Sequence, residues 1–182
     1  PFMATPLRVH VLFLAIAFAG CAAPTPDPLL ASELMEQEAR ELAVALSLQP
    51  QPALAPGELR VLLAFGGAAD LDLFVTTPSQ ETVYFANSPS HTSADGSRGS
   101  QSGELLLDQR CDSKAPRIEA ITFKTPAKGR YRVGVDFPKR CDGGEAPVSL
   151  VVATLGSRDA KTRSLVIRPL EFSPIVMEFE WP

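Results

Sequence analysis

Two carboxylates on one face of a short apolar strand are the first residues whose chemistry needs explaining. In Ala69-Asp70-Leu71-Asp72-Leu73-Phe74-Val75, side chains alternate between faces, as along any β-strand. Leu71, Leu73 and Val75 share one face, Asp70 and Asp72 the other. Carboxylates so placed repel each other unless a cation or an arginine lies between them. Asp108 and Asp112 flank a turn that a compact fold can bring nearby, and Glu119 or Asn87 can add oxygens. Calcium takes six to eight hard oxygen ligands. The candidate metal ligands are therefore Asp70, Asp72, Asp108 and Asp112. The competing arrangement pairs these acids with Arg117, Arg130 or Arg132 and needs no metal. A metal-dependent hydrolytic enzyme built on the acidic cluster is the alternative function.

Other catalytic chemistry has little support. A hydrolytic triad needs a base oriented by a third group. The histidine available outside the first twenty residues is His91, amid Ser88, Ser90 and Ser93 in a polar stretch. There is no G-x-S-x-G, no phosphate-cradling glycine loop and no Cys/His zinc spacing. The expectation is a protein that is not an enzyme. Loops at one end of a sandwich often carry recognition. The candidates are Ser88–Gly103, with His91, and the turn Arg110–Ala115, with Arg110. An envelope protein or a glycan is the expected class of partner. A glycan platform needs exposed aromatics, and most of the 10 Phe fall at inward, alternating positions. Tyr84, Phe74 and Trp181 are the exceptions, with Phe74 expected to be covered. The formal net charge is -4 and the basic residues form no run, so nucleic-acid binding is not expected.

The first twenty residues read as a signal peptide. Met3 is the expected start, followed by Arg8, an apolar run from Val11 to Phe18, and Ala19-Gly20-Cys21. The run is too short to span a bilayer, which takes ~20 apolar residues. A cysteine after Ala-Gly resembles the bacterial lipoprotein signal, in which that cysteine is acylated; an ordinary cleaved signal is the alternative. Ala22, in place of aspartate, points to the outer membrane. The expected location is the cell envelope, anchored by lipid on Cys21 and facing the periplasm. Cys111 and Cys141 then remain as an even pair in an oxidising compartment, which suggests a disulfide in preference to two buried thiols. The bridge would contribute roughly 3 kcal/mol.

Residues 21–57 read as a tether. Prolines at 24, 26 and 28 make a stiff spacer. Asp27 as N-cap and Pro28 in the first turn open a helix over about 28–48. Leu34, Met35, Leu42 and Leu46, with Ala39 and Ala43, form its apolar stripe. The helix is expected to pack on the domain, with a role in dimerisation or partner binding as the alternative. A second proline-rich linker follows at 49–57.

Residues 58–182 alternate as strands: Glu58–Phe65, Leu71–Thr76, Thr82–Phe85, Leu105–Leu107 and Arg117–Phe123, then Gly129–Phe137, Val148–Leu155, Thr162–Ile167 and Ile175–Trp181. Val83 and Phe85 are expected on one face, a bulge or a division into two half-strands is expected within Arg117–Phe123, and Ile175, Met177, Phe179 and Trp181 are expected on one face. The fold class is mainly β, an antiparallel β-sandwich, jelly-roll-like, preceded by one N-terminal helix.

The opening D-L-D-L-x-V with Thr77-Pro78 is followed by Val83-Tyr84-Phe85-Ala86-Asn87, Gly103-Glu104-Leu105, Asp108, Pro116-Arg117-Ile118-Glu119 and Gly129 to Val135. In that order these resemble the secreted bacterial YfaP-like sandwich domains, distantly similar to pre-peptidase C-terminal domains. The resemblance covers about Glu58 to Leu155. Phe74 and the serine-rich insertion depart from that family's pattern. The resemblance implies fold and secreted location, and permits calcium, which the pre-peptidase domains sometimes bind.

Overall fold

A computed structural model describes residues 28–48, 53–89, 102–156 and 160–182. The expected signal peptide, Cys21, Asp27 and His91 lie outside the described residues. The helix α1 spans Pro28–Leu48. Nine strands follow: β1 (Leu59–Phe65), β2 (Ala69–Thr76), β3 (Thr82–Val83), β4 (Glu104–Leu107), β5 (Arg117–Phe123), β6 (Gly129–Arg140), β7 (Val148–Leu155), β8 (Thr162–Ile167) and β9 (Phe172–Trp181). They form two antiparallel sheets, β4-β5-β1-β7-β8 and β3-β2-β6-β9. The protein is a β-sandwich preceded by one helix.

The two sheets bury themselves differently, and the sequence shows why. In β2 the residues alternate between buried and half-buried from Ala69 to Thr76, the signature of a sheet packed on one side. In β1 and β5 all seven residues are buried, because the middle of the five-stranded sheet is covered on both faces. Its inner face meets the four-stranded sheet through Leu59, Val61, Phe65, Ile121, Phe123 and Leu150, opposite Leu71, Leu73, Tyr131, Val133, Phe137 and Phe179. Its outer face takes α1, whose Leu42 and Leu46 pack on Leu62, Ala64, Ile118, Ala120, Val151 and Ala153. Ser149 fixes the other end of the helix: its Oγ donates to the Met35 carbonyl at 2.7 Å and its N–H to Glu38 Oε2 at 3.2 Å. The helix packs on its own domain. Leu34, expected in the stripe, is 57% exposed; the covered line runs through half-buried Met35 to buried Leu42 and Leu46, at the 3.6-residue period.

Three strand expectations change. β5 runs without a bulge, in unbroken register with β1 from Leu59↔Phe123 to Phe65↔Arg117; its irregular apolar pattern reflects burial on two faces. β3 ends at Val83, and Phe85 turns outward beyond the isolated Tyr84↔Asn87 bridge. β9 starts earlier than expected and slips register against β6 between Val133 and Val135. Four steps on β9 there match two on β6, so the residues between leave the alternation: Val176 joins Met177 in the core and Ile175 is half exposed. Ser88 and Gly103, the ends of the expected exposed loop, are buried; its middle, 90–101, lies outside the described residues.

Cys111 and Cys141 form a disulfide, with Cα atoms 5.2 Å apart. It ties the turn before β5 to the end of β6, one sheet to the other.

Because Leu42 fills the helix–sheet contact and Leu34 does not, Leu42→Ala is expected to destabilise by about 2–5 kcal/mol. Leu34→Ala is expected to change stability by less than about 0.5 kcal/mol. Chemical denaturation of the two variants distinguishes a docked helix from a free one.

Candidate functional site

The site begins at the open edge of β2. β3 pairs with β2 at Val75↔Val83 and Thr76↔Thr82, so among the described residues no strand pairs with the earlier part of β2 on that side. Glu119 supplies the partner. It lies on the inner face of β5, in register with Leu63, and reaches across the sandwich edge. Its Oε2 accepts the Leu73 N–H and its Oε1 the Gln109 N–H, each at 3.0 Å. One carboxylate thus joins the two sheets and holds the chain at residue 109.

That arrangement sets Asp108 against β2. Carboxylate oxygens of Asp72, Asp108 and Glu119 all lie within 4.8 Å of one another. Asp70 and Asp136 add to the same negative field at Asp72, and Asp136 is the residue opposite Asp72 on β6. Burial, then Asp70, Asp108 and Asp136, push the Asp72 carboxyl up to about 6. Burial pushes Glu119, 1% exposed, up to about 8, although its two N–H donors pull the other way.

The three arginines expected to pair with the acids settle elsewhere. Arg117, one of the expected partners of the acids, donates to the carbonyls of Arg110 (2.8 Å), Cys111 (2.8 Å) and Gly66 (3.2 Å). It fastens the turn without neutralising an acid. Arg130 and Arg132 pair with Glu180 and Glu178 on β9. Arg110, expected in a binding loop, pairs with Asp108 through Nε at 3.0 Å and Nη2 at 2.7 Å. Lys139 lies 3.7 Å from Asp70. In both pairs the base is largely exposed while the acid is mostly covered, Asp70 more so than Asp108, and a solvated base makes each pair weak. Among the described residues, no ion pair joins Asp72 or Glu119 to a base.

Of the four expected ligands, Asp72 and Asp108 converge, and Asp70 stands beside them. Asp112 does not join: it lies beyond the disulfide-bonded Cys111, in an exposed turn outside the cluster. Asn87 turns its Nδ2 to the Thr82 carbonyl, donating at 2.7 Å. Glu119 completes the triad. Alternation along β5 could have placed it inward, on the same face as Ile121 and Phe123. Its reach to β2 had no local signal.

Along the same outer face of β2, Phe74 is half-buried in an aromatic group. It stacks on Tyr84 at 4.9 Å and meets Phe172 edge-on at 5.5 Å. Trp181 packs against the core. A separate cleft of about 480 Å3 lies at the β4–β5 edge, lined by Arg60, Pro89, Gly103, Glu104 and Leu106 among others.

Fold and site together define a two-sheet sandwich with an acidic cluster at one sheet edge. Comparison with protein-family models, with curated proteins and with solved structures finds no match.

The raised acids hold protons in the folded chain that the unfolded chain releases. Stability is then greatest below the unfolded values of 3.8 and 4.5 and is lost as pH rises, through about 6 for Asp72 and about 8 for Glu119. In metal-free buffer, the denaturation free energy is expected to fall by on the order of a few kcal/mol between pH 5 and 8.5. In Glu119→Gln the part of that fall above pH 6 is expected to disappear, although the variant is less stable at pH 5 because an amide cannot accept both N–H groups.

Proposed function

We propose that this chain is an envelope-tethered, non-catalytic binding module whose acidic cluster takes calcium. The observation that carries the reading is the convergence of Asp72, Asp108 and Glu119, with two of the three lacking a basic partner among the described residues. Charges held this close are relieved by protons or by a cation. A divalent ion bound through carboxylate oxygens provides that relief at neutral pH, and Asp70 stands beside the cluster as a further oxygen source. Calcium would stiffen the β2 edge, where a loop and two sheets meet.

The tether rests on the sequence of residues 3–21: Arg8, the apolar run and Ala19-Gly20-Cys21. An acyl chain on Cys21 would hold the sandwich at the outer membrane, facing the periplasm. A disulfide suits that compartment. The ordered motifs from Asp70 to Val135 support placing the sandwich among the YfaP-like secreted domains.

Millimolar calcium at pH 7.5 is expected to raise the unfolding midpoint by several degrees over the same protein in chelator, as ligand excess over Kd dictates. Asp72→Asn should abolish the difference. An identical midpoint in calcium and chelator would sink the metal reading.

Cys21→Ser in the bacterial envelope is expected to leave the chain unacylated and to move it from the membrane pellet to the soluble fraction. Retention in the pellet with normal processing would overturn the lipid anchor.

A further inference from the structure

The outer face of the four-stranded sheet has two halves that treat charge differently. In one, each acid of β9 faces an arginine of β6: Glu180 opposite Arg130 and Glu178 opposite Arg132, both at 3.1 Å. In the other, Asp72 of β2 faces Asp136 of β6 directly. Like charges placed opposite each other weaken a sheet; among the described residues no ion pair relieves either acid, and Arg110, bound to Asp108, only tempers the field at Asp72. The next residue across, on β9, is Phe172, opposite Asp136.

Phe172 belongs to the aromatic group beside the acids. Phe74, two residues along β2 from Asp72, lies between Tyr84 and Phe172, and Phe85 meets Tyr84 edge-on at 5.3 Å. Opposite Phe74 is Gly134, where a Cβ would press on the Pro174 carbonyl at 3.0 Å. Phe85 is 43% and Phe172 54% exposed. The helix packs on the other sheet.

We propose that this patch docks an arginine-bearing segment of a protein partner, the ring faces taking the stem and guanidinium plane while Asp72 and Asp136 accept its N–H groups. An arginine suits both halves of the patch at once: it stacks on aromatic faces and pairs with carboxylates through a planar fork. A metal ion would satisfy the acids and leave the rings in water. A glycan would use the rings but bring no charge to set between opposed carboxylates. The proposal does not rest on the calcium reading. The two share Asp72, so bound calcium should weaken the docked segment.

The test is fluorescence anisotropy on the full chain in chelator. The probe is a labelled Gly-Arg-Gly-Arg-Gly peptide, compared with the same peptide carrying neutral citrulline at both arginines. The arginine peptide is expected to bind at least about tenfold tighter. Asp136→Asn and Phe172→Ser should each weaken it by about fivefold or more. Glu180→Gln, which removes one negative charge from the matched half, should change it by less than about twofold. Equal binding of the citrulline peptide would overturn the proposal. So would a loss in Glu180→Gln as large as in Asp136→Asn, which would reveal diffuse acidity, or unchanged binding by Phe172→Ser with a wild-type melt. Arginine-specific binding in a protein whose midpoint ignores calcium would remove the calcium reading and leave this one standing.

Discussion

The carboxylate of Glu119 is the interaction on which the site depends. A two-residue β3 leaves most of one edge of β2 without a ladder partner among the described residues, and a buried N–H without an acceptor costs about as much as a lost hydrogen bond. Glu119 meets that need from the opposite sheet, taking Leu73 with one oxygen and Gln109 with the other. Arg117, two residues earlier on the same face of β5, does the complementary task by donating to carbonyls at 66, 110 and 111. The Cys111–Cys141 bridge adds a covalent tie a few residues on. An acceptor, a donor and a disulfide thus fix one short turn, and Asp108 is carried into place with it. The closeness of Asp108 to Asp72 follows from how the sandwich edge is closed.

The distribution of apolar surface decides which face is left for recognition. α1 covers the five-stranded sheet, so β1, β5 and β7 carry apolar residues on both sides. The four-stranded sheet keeps the simple alternation of one buried face and one wet face. Its wet face holds Asp70, Asp72, Phe74, Asp136 and the Arg–Glu pairs, and two bulges shape it. One, between Asp70 and Asp72, aligns Asp72 with Asp136; the other, in β9, turns Ile175 outward and brings Phe172 opposite Asp136. Bulges re-aim side chains in this way at functional edges of sheets.

Period-two alternation made most of the strands legible, and helix-forming composition between two proline-rich stretches made α1 legible from Pro28 to Leu48. The Asp70–Asp72 face and the Cys111–Cys141 pair were legible because each rests on local pattern or on parity. What escaped depends on long-range pairing. The fully buried β5 shows no alternation from which to read a bulge or its absence. The register slip that moves Ile175 outward and Phe172 into the aromatic group is invisible along β9 alone. Asp112 has the residue type of a ligand and sits four residues from Asp108, yet the disulfide and Arg117 take that turn elsewhere. The partners of Arg130 and Arg132 lie fifty and forty-six positions away, beyond the reach of spacing arguments.

The charge at Asp72 can be relieved by three agents, and each leaves a different trace in the rest of the structure. Protons suffice for the cluster at low pH, since burial and neighbouring acids already hold Asp72 near 6 and Glu119 near 8. A metal suits the side facing Asp108 and Glu119, where oxygens converge and aromatics are absent from the triad. An organic cation suits the side facing Asp136, where Phe74 and Phe172 border the opposed acids. Asp72 is common to all three, so a bound metal and a docked cation would compete with each other and with protons. Competition at one carboxylate couples stability to ligand chemistry: whatever replaces the protons at neutral pH recovers the folding free energy that their loss removes. A sandwich edge closed by an acidic side chain is therefore weakest when empty at neutral pH, and a cation-bearing partner would stabilise the edge by the same act that docks it.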